Sequence, residues 1–202
     1  MALFYIVYFV GINNVSSNRQ LHNMVRLEYF TKDDYDQLIE WIHDEYILTN
    51  WAGSLFRFPL NASKLDWYLE NANDLATSDV LIYKAIDTHT NMTIGHISLG
   101  SINRGDRSAR ITRVLVGDTC ERGRGVCQGM IKAILPIGFK DLNLHRISLG
   151  VYSFNKSAIR CYEKVGFTIE GTMRDVKQFK DEYWSLVEMS MLENEWHERY
   201  GK

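Results

Sequence analysis

From Val25 to Phe30 the chain reads as a short strand, and over Asp33–His43 apolar residues recur at Leu38, Ile39, Trp41 and Ile42 on a helical spacing. Acids fill the first turn of that helix, where the dipole favours them. Tyr46–Pro59 is aromatic without a clear period and is expected to be a loop. Asn61 or Ser63 is placed to cap a second helix that reaches about Leu75, with Leu65, Tyr68, Leu69 and Ala72 on one face. Asp79–Ala85 and Thr93–Ile102 predict strands joined by a turn at residues 87–91, and Ala109–Val116 a further strand after the turn at residues 104–107. A helix is expected over Val126–Phe139, kinked or ended by Pro136, which has no N–H and clashes one turn back. A strand opening at Arg146 follows. Asn155 then stands as an N-cap and Gly166 as the C-cap of a short helix, before strands near Thr168–Met173 and Trp184–Met191.

This alternation predicts an α/β protein with a mixed sheet and helices on both faces. There are no repeats, no low-complexity tracts and no linker-like segment. Residues 24–202 are therefore expected to form one domain. Met1–Val10 is almost wholly apolar and carries no charge. It lacks the basic flank and cleavage site of a signal peptide and is too short to span a bilayer as a helix. Its β-branched and aromatic content suits a strand, but residues 1–23 are read here as an extension ahead of a start at Met24.

Composition narrows the function. With 202 residues and 46% hydrophobic content the chain is long enough for one well-buried domain. A net charge of -2 and a pI near 6.3 argue against a bulk nucleic-acid binder, and no membrane partner is indicated. Three cysteines, Cys120, Cys127 and Cys161, are odd in number and lack metal spacing, which reads as a reduced cytoplasmic protein. His43-Asp44-Glu45 does not make His-Glu-x-x-His, His96 and His145 are read as strand or surface residues, and no metal site is predicted.

The segment carrying most chemistry is Glu121-Arg122-Gly123-Arg124-Gly125-Val126-Cys127-Gln128, which follows the apolar run Val114-Leu115-Val116 and opens a helix. Two glycines one residue apart let the backbone approach a ligand, and the helix N-terminus adds unpaired N–H groups and a positive field. Arg122 and Arg124 add charge suited to phosphate. A dinucleotide fingerprint would need glycine where Gln128 stands, and a P-loop would need Gly-Lys-Ser/Thr, which does not occur.

Downstream the chain reads Asn155-Lys156-Ser157-Ala158-Ile159-Arg160-Cys161-Tyr162-Glu163-Lys164-Val165-Gly166-Phe167. The pair of segments resembles the GNAT superfamily of N-acetyltransferases. Its loop pattern, Gln/Arg-x-x-Gly-x-Gly/Ala, is met by Arg122, Gly125 and, imperfectly, Cys127. Its later pattern is met by Asn155, Ala158, Tyr162, Glu163, Gly166 and Phe167. The tail from Glu170-Gly171-Thr172-Met173-Arg174-Asp175 to Glu195-Trp196 resembles the branch that acetylates ribosomal-protein N-termini.

The resemblance implies a mixed, mostly antiparallel sheet that splays beside the glycine loop, with acetyl-CoA as co-substrate in the splay. Leu115, Val116 and Asn155 would then hold the pantetheine arm. Arg122, Gly123, Arg124, Gly125, Val126, Cys127 and Gln128 would hold the pyrophosphate, with Arg160 within reach of a phosphate. Cys127 stands where the family has Gly or Ala, and a helix N-terminus and arginines would lower its pKa if it acted as a thiol. Tyr162 is the expected general acid, giving a proton to the departing thiolate.

The strand Ala109–Val114 carries no carboxylate where many relatives place a base, which leaves Glu170, Asp175 or a water relay. Trp51, Phe56 and Tyr183 are expected to line the acceptor pocket, while Trp41 and Trp67 are read as core. The expected activity is transfer of acetyl to a primary amine, on a protein N-terminus or a small molecule, in a ternary complex; a homodimer is compatible with it. Two alternatives stand beside it. A polyamine acceptor would use the acids Asp33, Asp34, Asp36, Glu40, Asp44 and Glu45, and a silent CoA-binding module would account for the missing base.

Overall fold

The computed structural model describes residues 24–117 and 125–201. Seven strands form one sheet: β1 (Val25–Tyr29), β2 (Leu81–Asp87), β3 (Thr93–Asn103), β4 (Ser108–Val116), β5 (Arg146–Tyr152), β6 (Thr168–Phe179) and β7 (Glu182–Leu192). Their order is β1-β2-β3-β4-β5-β7-β6, and every pair is antiparallel except β4 with β5. The parallel pair needs a crossover, which a helix over Val126–Pro136 supplies. The helices are α1 (Tyr35–Trp41), α2 (Glu45–Ala52), α3 (Ala62–Leu69), α4 (Val126–Pro136), α5 (Lys156–Val165) and α6 (Glu193–Tyr200). The mixed sheet with helices on both faces agrees with the expectation from sequence.

Each face has its own core. On one, Met130, Ile131 and Ile134 of α4, Tyr162 and Val165 of α5 and Trp196 of α6 pack on Ile97, Leu99, Ile111 and Leu149. On the other, Leu38, Leu48, Trp51, Leu65 and Tyr68 of α1–α3 pack on Phe30 and Ile82. Helix α4 comes so close to the sheet that a Cβ on Gly95 would sit 2.6 Å from the Leu115 carbonyl oxygen and 2.7 Å from Met130 Sδ. Only glycine leaves that approach open.

Local signals set the helix ends. Asn61 Oδ1 accepts from Lys64 N at 3.1 Å, and Asn155 Oδ1 accepts from Ala158 N at 3.2 Å, as N-caps. Gly166, at φ +115°, ends α5 in the left-handed conformation. Regular α4 stops at Pro136 and passes into one π-helical turn, Ile137–Asp141.

Several expectations need correction. Tyr46–Pro59 is not all loop: α2 occupies its first half, nucleated by Asp44, whose carboxylate accepts from Ile47 N at 2.7 Å. Helix α3 ends at Leu69 rather than near Leu75, and α6 carries the tail around Trp196. Strand β6 runs on to Phe179, paired with β7 in a long hairpin. Trp67 is not core but 57% exposed on α3. Residues 1–23, read as an extension, lie outside the described residues.

Candidate active site

Strands β4 and β5 pair only from Ser108↔Arg146 to Ile111↔Leu149. Beyond that point they part. Strand β4 stays bonded to β3 as far as Gly95↔Val116, while β5 stays bonded to β7 as far as Tyr152↔Leu186. The facing edges are left with unpaired backbone N–H and C=O groups, which a ligand can bond. The opening is a cleft of about 450 Å³ lined by Arg110–Leu115 on one side and Leu149–Tyr152 on the other. Asn155 and Tyr162 border it, and α2 closes it with Tyr46, Asn50 and Trp51.

A bulge in β4 drives the parting. The β3–β4 register shifts between His96 and Ser98, and Arg113 takes φ +53°. Normal alternation would put Thr112 and Arg113 on opposite faces. Instead Ile111, Val114 and Val116 pack on the α4–α5 side while Leu115 packs on the α1–α3 side, and both Thr112 and Arg113 turn to that second side. Two ring N–H groups hold the bulge: Trp51 Nε1 donates to the Arg113 carbonyl at 2.9 Å, and His96 Nδ1 meets the same oxygen at 3.1 Å. Because a carbonyl only accepts, His96 carries its proton on Nδ1. Its Nε2 is buried with no partner. Burial is the largest cause that lowers the His96 pKa to about 4, so the ring is neutral at pH 7.

Helix α5 brings Asn155 and Tyr162 to the cleft because they lie two turns apart on one face. Tyr162 is buried, and that burial, followed by the nearby thiols of Cys127 and Cys161, pushes its pKa well above the ordinary phenol value. Cys161 Sγ donates to Cys127 Sγ at 2.6 Å. That bond, together with burial, raises the Cys127 pKa well above normal, so the expectation of a lowered thiol pKa is overturned. Gly125 caps α4 at φ +87°, a conformation that favours glycine. Arg122, Gly123 and Arg124 lie outside the described residues.

The remaining expected site residues scatter. Leu115 lines the cleft, whereas Val116 packs on the opposite side of the strand. Val126 is buried and Gln128 half-buried in the first turn of α4, and Arg160 is exposed on α5, outside the lining. Trp51 lines the cleft, but Phe56 stacks behind it, ring centroids 6.0 Å apart, in the core. Tyr183 is 61% exposed on the β6–β7 hairpin and outside the lining. Glu170 accepts from Arg146 at 2.8 Å and from Ser190, and hydrogen bonds from Ser190 and then Arg146 hold its carboxyl below the usual range. It is an ion-paired carboxylate outside the cleft rather than a base poised beside it.

Sequence reasoning missed Arg110 and Arg113, both in the lining. Arg110 is neutralised by a fork of two 2.7 Å bonds to Glu188. The signal for Arg113 was an arginine inside the apolar run Ile111–Val116, where alternation breaks.

A splayed parallel pair, backbone groups open along both edges, a glycine-capped helix beside it and a protonated phenol at its wall suit a thin thioester bearing an anionic head. The chain belongs to the GNAT acetyltransferases: the acetyltransferase (GNAT) domain family matches residues 25–168. It is an N-acetyltransferase with acetyl-CoA as co-substrate. It is 28% identical over 171 residues to the aminoglycoside N(6')-acetyltransferase type 1 of Klebsiella pneumoniae, covering 81% of this chain and 84% of that one. It is 30% identical over 106 residues to the spermidine N(1)-acetyltransferase of Vibrio cholerae, covering 52% of this chain and 60% of that one. The fold is shared with a crystal structure of spermidine N-acetyltransferase from Vibrio cholerae in complex with CoA and spermine, at a TM-score of 0.74 and 21% identity over 86% of this chain and 98% of that chain. Among the described residues no helix is long and apolar enough to cross a membrane, and no three of His, Cys, Asp and Glu group to hold a metal ion.

Proposed function

We propose that the chain moves acetyl directly from acetyl-CoA to a primary amine of a small molecule, with both bound at once in the β4–β5 cleft. The observation that carries the reading is the placement of Tyr162 in the same cleft wall as the open strand edges, with α2 closing the other end. Leu115 and the cap residue Asn155 hold the pantetheine arm, and the N-terminus of α4 at Gly125–Gln128, with Arg122, Gly123 and Arg124 ahead of it, takes the pyrophosphate. Tyr162 keeps its proton throughout the working range and gives it to the sulfur as the thiolate departs. No carboxylate lines the cleft among the described residues, so the amine loses its proton to water before attack.

The relatives' names favour a small amine over a protein N-terminus, and with it weigh against the ribosomal-protein branch. The acids considered for a polyamine do not line the cleft, and Asp34 is bound to Lys84 at 2.9 Å. Cys127 and Cys161, in contact yet unbonded, fit a reducing cytoplasm.

The test is acetyl-CoA turnover against a panel of small amines and peptides, read by release of free thiol. Turnover of a small amine is expected. Acetyl-CoA that binds and raises the melting temperature while no amine is acetylated would instead establish the silent binding module.

A further inference from the structure

The α1–α3 side of the cleft holds a cation with no counter-ion among the described residues. Arg113 Nη1 donates to Thr112 Oγ1 at 2.8 Å and to Ser98 Oγ at 3.3 Å, and its guanidinium lies 4.8 Å from the centroid of the Tyr68 ring. Its Nε is buried with no acceptor, and burial raises the pKa of the Tyr68 hydroxyl beside it, so that group brings no negative charge. Its other neighbour, His96, is neutral. Hydroxyls and a π face solvate the charge without cancelling it, and among the described residues no carboxylate lies within ion-pair distance of Arg113. A cation kept half-buried in this way is costly unless something else supplies the anion.

The described residues that line the cleft supply none. Its lining contains two arginines and no Asp or Glu among the described residues, and only Arg110 is neutralised. The bulge at Arg113 is what aims the side chain here, and two ring N–H groups hold that bulge in place. Such a wall repels a polycation and attracts an oxyanion.

We propose that Arg113 is a specificity-determining residue and that the acceptor is an amine whose own molecule carries an oxyanion, a carboxylate or a phosphate, close to the reacting nitrogen. The inference rests on the reading of the cleft as the acceptor site. The guanidinium forms charge-assisted bonds to the oxyanion and so fixes the amine relative to the thioester. The same positive charge lowers the pKa of the bound amine, which favours the neutral form needed for attack.

The experiment uses matched acceptors on the full chain: an α-amino acid and the amine that lacks its carboxylate, ethanolamine and its phosphate ester, and spermidine as the polycation. Both kcat/KM and direct binding to the CoA-loaded protein by calorimetry are read. The anionic member of each pair is expected to be preferred by roughly 10- to 100-fold, as charge-assisted bonds provide, with spermidine the poorest acceptor. The two pairs separate carboxylate from phosphate. In Arg113→Met the preference should fall to about one while the acetyl-CoA Kd holds, and Arg113→Lys should keep part of it because the charge remains without the fork. Melting temperatures check that both variants are folded.

Equal use of paired members by the wild type, spermidine as the best acceptor, or a preference that survives Arg113→Met would overturn the proposal. So would a collapse of acetyl-CoA affinity in Arg113→Met, since the arginine would then serve the co-substrate. If no amine is turned over, preferential calorimetric binding of the anionic members still supports the role of Arg113, and only the activity reading fails. Absence of both turnover and preferential binding overturns both.

Discussion

Beneath α4, α5 and α6 the sheet presents Ile97, Leu99, Ile111 and Leu149, whereas beneath α1, α2 and α3 the same strands present His96, Ser98, Thr112 and Arg113. The first surface is an apolar core closed by Met130 and Ile134, with Gly95 leaving room for close approach. The second buries ring nitrogens and hydroxyls, half-buries a guanidinium, and leaves His96 Nε2 and Arg113 Nε without partners. Apolar burial is favourable wherever the shapes match, so one face can be optimised for stability. Unpartnered polar groups cost stability and persist where a ligand or a reaction uses them. The contrast separates a wholly apolar stretch of the sheet from one that keeps polar groups beside the cleft.

The largest expected effect breaks the stable face. Met130 is fully buried under Gly95. Met130→Ala should cost roughly 2–5 kcal/mol in urea unfolding, through lost burial and the cavity left behind. A loss below about 1 kcal/mol would show that this face is not the main source of stability.

On the polar face the test is pH. His96 has a folded pKa of about 4 against 6.5 when unfolded. A depressed folded pKa means that the unfolded chain takes up the proton first, so the contribution is fully present above pH 6.5 and is lost as pH falls towards 4. That window is worth about 3 kcal/mol. His96→Gln, which retains an N–H donor for the Arg113 carbonyl, should show a flatter melting temperature between those pH values than the wild type. Parallel curves would mean that His96 does not titrate as its burial requires.

Where the α4–α6 core meets the cleft, Tyr162→Phe keeps the packing and removes the proton. Turnover should fall about 10²-fold, about 2.7 kcal/mol of barrier, mainly in kcat and with acetyl-CoA affinity little changed. Because burial and then the neighbouring thiols raise the phenol pKa, the wild-type rate should show no loss from this group below pH 10. Wild-type turnover in Tyr162→Phe would return the residue to an ordinary core tyrosine.

The smallest effect is expected at Cys127, whose thiol rests against Cys161 with a raised pKa. Cys127→Ala should change stability by less than about 1 kcal/mol and leave acetyl-CoA binding in place. A loss of binding would mean that the thiol, and not merely a small side chain, is required there.

Much of the stable face could be read along the chain. The caps at Asn155 and Gly166, the helix after Gly125 and the stop at Pro136 are local signals in which neighbours in sequence are neighbours in space, and the paired motifs around Arg122–Gln128 and Asn155–Phe167 carried the family and, with it, the splay. The aromatic acceptor loop was read only in part, because Phe56 and Trp51 differ little in type while one stacks in the core and the other meets the cleft. The same holds for Trp67, exposed despite its helical spacing, and for Glu170, whose role was decided by Arg146 and Ser190 across the sheet.

The sequence by itself determined that Asn61 and Asn155 cap helices, that Gly166 ends one, and that the chain carries the paired motifs of the acetyltransferase family. Tertiary structure alone decided which face each strand residue joined. A bulge of one residue at Arg113 shifts every later side chain to the other side, and the broken alternation around it does not say which side each residue takes. Through that shift Thr112 and Arg113 share a face with His96 and Ser98, and the cation comes to stand in the cleft.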